Sequence, residues 1–285
     1  MIQSFLDSWA LFHNTYLAGW LSGILLAMVG VLVLAREQIF LSAAVAQASS
    51  LGIALGMWAG GQEPLARLDW LHSDAFLSAM AVGLAVATAL TARSTNGGNR
   101  LGAEAITGWI FLAAASSSTL LLAHSPHGTE EINRLLSSSL IGASAADVWL
   151  FGGLAGATAL TLIRYHRAIL LMAMDPPMAA AIGLRLRPWS ILTAAWLGLV
   201  IGLAMRSTGM LFTFGCLVLP ALVAGLVCRE LRAMFVIAPL AACLAAGLGF
   251  VIANEYDYPP AQMTVALLCA GVIVIGLMRR LLERI

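Results

Sequence analysis

Apolar residues in this chain come in long unbroken runs separated by short polar stretches, rather than at the spacing of a half-buried surface helix or strand. Nine such runs stand out, at about 17–35, 39–60, 75–92, 104–123, 147–163, 189–205, 207–228, 233–253 and 262–278. A helix of about 20 apolar residues rises about 30 Å, enough to cross the hydrocarbon of a bilayer. No run shows the ten-residue alternation of a membrane β-barrel, so the pattern predicts an all-α polytopic membrane protein with about nine transmembrane helices. No composition shift divides it, and residues 1–285 read as a single transmembrane domain. The first run is not expected to be a signal peptide, because nothing basic precedes it and residues 1–16 carry only Asp7.

Composition agrees: 61% of residues are hydrophobic and 10% charged, far from the soluble average. All 15 basic residues are Arg, with no Lys. That excludes a P-loop nucleotide hydrolase within the chain, since the motif sets a Lys on the phosphates. A net charge of +1 also excludes a polybasic nucleic-acid binder. The charges are sorted by side. Arg36, Arg93, Arg100, Arg164, Arg167, Arg185, Arg187, Arg229, Arg232, Arg279, Arg280 and Arg284 follow odd-numbered runs, leaving only Arg67, Arg134 and Arg206 for the other side. By the positive-inside rule the N-terminus lies outside and the C-terminus in the cytoplasm. Cys216, Cys228, Cys243 and Cys269 form no C-x-x-C pair and read as small membrane hydrophobes.

Ionisable groups inside a span usually mark function, and here they are nearly absent. Glu104 and Asp147 sit at run starts, where a carboxylate complements the helix dipole. No span holds a His or an H-E-x-x-H motif, and no general base accompanies a serine, so intramembrane hydrolysis has no residues to run on. Two runs carry polar groups of interest. In the second, Ser42, Ala43, Ala46, Gln47, Ser49, Ser50 and Ala54 make one small, polar face. It serves equally as a seam for close helix packing or as the lining of an aqueous pathway. The seventh carries Thr208, Thr213, Cys216 and Pro220. Pro220 lacks a donor and is expected to kink its helix, as in many transporter cavities. The run Ser116 to Thr119 can satisfy its hydroxyls on preceding carbonyls and needs no function.

Two connections add candidates. The outer one, between runs four and five, holds His124 and His127 near Glu130 and Glu131, an H-x-x-H pair able to hold a divalent metal transiently or simply to be solvated. The cytoplasmic one, 164–188, contains Asp175 followed by Pro176 and Pro177, a helix-start signal. Two short turns are expected over Met178 to Leu184, ending at Gly183. The segment is too short to span and reads as a docking surface for a cytoplasmic partner.

Five segments, in order, resemble the membrane permeases of ATP-driven importers for zinc, manganese or iron. They are REQIFLSAAVAQASSLGIALG, residues 130–148, MDPPMAAAIGLRL, STGMLFTFGCLVLPALVAGLV and ANEYDYPPAQMTVAL, and the resemblance covers essentially the whole chain. It implies a multi-pass protein of the bacterial inner membrane that moves a divalent metal by alternating access and is not itself an enzyme. No cofactor is expected on this chain. ATP is hydrolysed by a cytoplasmic partner that contacts Asp175, Pro176, Ala180, Gly183 and Leu184. The other implied partners are a second copy or a paralogous permease, an extracytoplasmic metal-binding protein and membrane lipid, with no nucleic acid. Gln47, Ser49, Ser50, Thr213, Cys216 and Pro220 are the expected pathway residues, and His124 and His127 the expected hand-off site.

One departure bears on the cargo. The family's second helix commonly carries an Asp and a His four residues apart, facing the metal. Aligned on Arg36 and Gly52, those positions read Ala43 and Gln47. Ala cannot ligate, and Gln offers one carbonyl oxygen in place of an imidazole. Three explanations remain open: pairing with a ligand-bearing paralogue, passage of the metal by other groups, or a different substrate. A stand-alone secondary transporter is the alternative class, against which the lack of mid-depth carboxylates counts.

Overall fold

A computed structural model of the chain describes residues 2–61, 69–95, 100–123 and 143–282. Every described element is helical, as it must be where no water can satisfy a lipid-exposed backbone. In chain order the helices are α1 (Ile2–Ala35), α2 (Ile39–Gly60), α3 (Asp74–Thr95), α4 (Arg100–Ala123), α5 (Ala145–Met174), the short α6 (Pro176–Ala181), α7 (Leu186–Val227), α8 (Leu231–Tyr256) and α9 (Pro260–Leu282). A 3₁₀ turn at Asp69–His72 precedes α3.

Among the described residues, eight helices are long and apolar enough to cross a membrane. The nine runs map onto these eight because the sixth and seventh share one 42-residue helix, α7. At 1.5 Å per residue α7 would measure about 63 Å if straight, twice the hydrocarbon thickness. Its backbone leaves helical geometry at Gly209, with φ 74° and ψ 173°. That conformation is open essentially to glycine alone, so the sequence itself fixes where α7 breaks. The expected kink at Pro220 is not where the break falls: Pro220 lies inside the helix, and the non-helical residue is Gly209. Neighbouring helices can re-satisfy the carbonyl a proline frees, whereas nothing restores helical φ/ψ at Gly209.

The chain forms two compact units. One comprises Met1–Glu37, Ser138–Leu186 and Leu211–Ile285, and so holds α1, α5, α6, the second part of α7, α8 and α9. Here α1 packs on α8 and α5, and α8 on α9. Ala27, Val31, Ala221, Ala224, Met234, Ala238 and Ala242 form a buried cluster. A Cβ at Gly30 of α1 would overlap the Leu217 carbonyl of α7, which measures how closely the two backbones approach. At one end of α1, Trp9, Tyr16, Trp20 and Phe250 make a continuous ring cluster. There the Tyr16 hydroxyl donates to Asn254 Oδ1 at 3.3 Å, tying α1 to α8.

The other unit comprises Gln38–Ser137 and Arg187–Met210, holding α2, α3, α4 and the first part of α7. Its centre is α2, which touches both α3 and α4. Almost every α2 residue from Ser42 to Ala54 is buried, so its small side chains act as spacers that let neighbours close in. A Cβ at Gly198 or Gly202 of α7 would meet the α3 backbone at Val86 (2.6 Å) or Val82 (2.8 Å).

Helix ends follow sequence signals. Ser144 and Asp147 form a complete capping box at α5: the Ser144 side chain accepts from the Asp147 amide, and the Asp147 side chain accepts from the Ser144 amide. This gives Asp147 a more specific role than the dipole alone. Glu104, expected at a helix start, lies four residues inside, since α4 begins at Arg100. Helix α5 also continues past the expected end at 163 to Met174, through a non-helical Tyr165 (φ −119°, ψ 18°). The hydroxyls of the Ser116–Thr119 run do bond backward: Ser116 donates to the Leu112 carbonyl at 2.8 Å and Thr119 to that of Ala115 at 3.0 Å.

Candidate transport and coupling sites

The α2 candidates are interior residues of their unit. Gln47, Ser49 and Ser50 are buried, as is Ala43. The Gln47 amide Nε2 donates to the Met210 sulfur at 3.1 Å, a weak acceptor. Ser49 Oγ lies 3.5 Å from the Gly202 carbonyl, a long contact. Both contacts run to the first part of α7. Gln47 is held by one weak bond, while its carbonyl oxygen remains a hard donor.

Thr213, Cys216 and Pro220 fall in the other unit, all buried. Cys216 Sγ lies 3.9 Å from where a Cβ on Gly23 of α1 would stand. The six pathway candidates thus divide into two sets, Gln47, Ser49 and Ser50 in one unit and Thr213, Cys216 and Pro220 in the other. Cys216, Cys228, Cys243 and Cys269 are all free thiols. Among the described residues, no group of three His, Cys, Asp or Glu could hold a metal. His124 and His127, with Glu130 and Glu131, lie outside the described residues.

The candidate coupling segment is capped at both ends. Asp175 Oδ1 accepts from the Met178 amide at 3.0 Å, and Pro176 and Pro177 occupy the first helical positions. At the other end the Leu184 amide donates to the Ala179 carbonyl at 3.1 Å and the Gly183 amide to that of Ala180 at 3.0 Å. Those two bonds, with Gly183 at φ 86°, make a Schellman closure. Both ends of this short helix are therefore satisfied by its own residues. Ala179 is its one buried residue, whereas Ala180, which the resemblance implied, is exposed. Met174, Met178 and Ile182 are each more than half exposed. They recur every four residues, a regularity in the sequence that could have marked them.

These features define a multi-span helical membrane protein with a capped, apolar knob between two spans, the build of a transport permease. A model of the ABC 3 transport family matches residues 8–280, and the chain belongs to that family. The manganese import system permease protein ScaB of Streptococcus pneumoniae is 25% identical over 260 residues, covering 90% of this chain and 87% of that protein. The chelated iron transport system membrane protein YfeD of Yersinia pestis is 22% identical over 245 residues, covering 86% and 77%. Among solved structures, PsaBC from Streptococcus pneumoniae in complex with Fab has the same fold, with a TM-score of 0.79 at 20% identity over 96% of this chain and 95% of that one. The chain is thus a multi-pass protein of the bacterial inner membrane, and its relatives are transport permeases rather than enzymes.

Proposed function

We propose that the chain is the transmembrane subunit of an ATP-binding-cassette importer carrying a divalent transition metal into the cytoplasm by alternating access. The observation that carries this reading is the match over residues 8–280 to a family whose relatives are named for manganese and chelated iron. The N-terminus faces outward, and α6 with Gly183 and Leu184 faces the cytoplasm. A cytoplasmic ATPase hydrolyses ATP, and its closure presses on Met174, Met178 and Ile182. Because Asp175 and Gly183 cap both ends, α6 moves as one body and passes that displacement to α5 and α7. ATP binding then favours one arrangement of the bundle over the other by its differential contacts with the two. An extracytoplasmic protein delivers the metal, with His124 and His127 assisting the hand-off.

The experiment is the manganese, iron and zinc content of metal-limited cells lacking the chain. One metal should fall, and the wild-type chain should restore it. A Gly183→Trp variant, strained at positive φ, should insert normally yet fail to restore it. Unchanged content of all three metals would overturn the reading.

A second reading is favoured by α2. Ala43 has no donor atom, and the Gln47 amide bonds Met210. On this reading the chain pairs with a paralogous permease that supplies the metal-facing groups. Purification of a tagged copy separates the two: a second, untagged copy of this chain supports the homodimer, and a paralogue supports the pair.

A further inference from the structure

Helix α5 runs from its capping box at Ser144 through about 20 residues to Arg164, a rise of about 30 Å that matches the hydrocarbon thickness. At that depth its backbone breaks at Tyr165, and the four consecutive residues Arg164, Tyr165, His166 and Arg167 are all exposed. The Arg164 guanidinium lies 5.3 Å from the Tyr165 ring centroid, a cation–π pair that holds the arginine beside the break. His166 Nδ1 lies 3.1 Å from the Ile163 carbonyl. Since a carbonyl only accepts, Nδ1 carries the proton, and Nε2 is left as an acceptor that offers nothing to an anion. Between Asp147 and Asp175 the sequence has no carboxylate, so α5 supplies no counter-charge of its own to Arg164 or Arg167. One turn earlier Leu160 and Ile163 are 69% and 73% exposed. With Arg164 they follow the three- and four-residue spacing of one helix face.

We propose that Arg164, Tyr165 and Arg167 bind the phosphodiester headgroup of an anionic phospholipid of the cytoplasmic leaflet, with an acyl chain along Ile163 and Leu160. The ligand must supply an anion and adjoining hydrocarbon within one turn of helix, and a phospholipid supplies both. The guanidiniums offer paired donors that suit phosphate oxygens, and the tyrosine stands at the depth where amphipathic rings collect. The site adjoins α6 along the chain, so a lipid held there braces the helix that carries the knob. The inference rests on the orientation proposed above, but its readout requires no transport and can fail independently of it.

The test is lipid retention by the full chain, purified from membranes of phosphatidylethanolamine with a minor share of phosphatidylglycerol or cardiolipin. Anionic lipid should be enriched over the bulk extract. The enrichment should fall about fivefold for each guanidinium removed in Arg164→Gln and Arg167→Gln, while Arg164→Lys with Arg167→Lys should keep most of it. Inorganic phosphate added alone should not displace the lipid. Equal lipid ratios in wild type and the double Gln variant would overturn the proposal. So would displacement by phosphate alone, which would identify a free-anion site. Loss of ATPase association in the Gln variant with unchanged lipid would assign the cluster to that partner and equally overturn it.

Discussion

The two parts of α7 are consecutive segments of one helix, yet they are held by different means. The part up to Met210 is fastened by polar groups as well as by close packing. Ser49 reaches the Gly202 carbonyl, Gln47 reaches the Met210 sulfur, and Arg206 pairs with Asp74 and bonds Ser78. The part from Leu211 onward is packed closely through apolar side chains. Leu217 lies against Gly30, and Ala221 and Ala224 enter an alanine-rich cluster with α1 and α8. Within lipid, apolar burial gives little driving force between helices, so close van der Waals fit must supply it. The apolar part should therefore be the more sensitive to added volume, and the polar part the more tolerant of losing a single bond.

The largest effect should come from Gly30→Ala. Its new Cβ falls on a backbone carbonyl that no rotamer change can clear, and the cost should be about 3 kcal/mol. A thermal-unfolding midpoint in detergent that does not move would show that α1 and α7 can part cheaply. Gly209→Ala should come next in stability, at about 1–3 kcal/mol for forcing a side chain into a glycine-only region. Its effect on metal uptake should exceed its effect on stability if the break must move during transport. Proportionate losses of uptake and folded protein would make Gly209 a static joint. Gln47→Leu should change stability by less than about 1 kcal/mol, because a weak bond is exchanged for an apolar side chain of similar size. Metal uptake decides its meaning: uptake unchanged leaves α2 a packing seam, and uptake lost makes Gln47 a pathway residue. Asp74→Asn should matter least, by about 0.5 kcal/mol or less, since Asp74 is 88% exposed and its pair with Arg206 is well solvated.

The sequence made these features legible to different degrees. The α2 run, read as 39–60, is the helix Ile39–Gly60, because its flanks change sharply from polar to apolar. The capped start at Asp175 and the stop at Gly183 were equally readable, since each depends on a local backbone rule that one residue type satisfies. The α7 break was harder. Pro220 is the helix breaker by type, while the residue that breaks the helix is Gly209. The tail of α5 was hidden because Arg164 and Arg167 look like the end of a span, whereas a helix can continue past the hydrocarbon when its far end packs through Ile169, Met172 and Ala173. Spacing grouped Gln47, Ser49 and Ser50 on one face, but it could not show that two of them bond α7. That depends on which helix lies opposite.

The close approaches at Gly30, Gly198 and Gly202 also bear on how this chain tolerates mutation. Every other amino acid carries a Cβ, so no conservative replacement exists at a position where the neighbouring backbone already occupies that space. All missense changes at these three codons are enlargements, whichever base is altered. An error there is corrected by reversion, or by a compensating shift of Leu217, Val86 or Val82 that itself disturbs a second helix. Alanine-rich stretches such as Ala221, Ala224, Ala238 and Ala242 have a neighbouring option in glycine, which removes volume instead of adding it. The glycine contacts therefore act as the fixed points of the sequence, around which the rest of the bundle is free to drift.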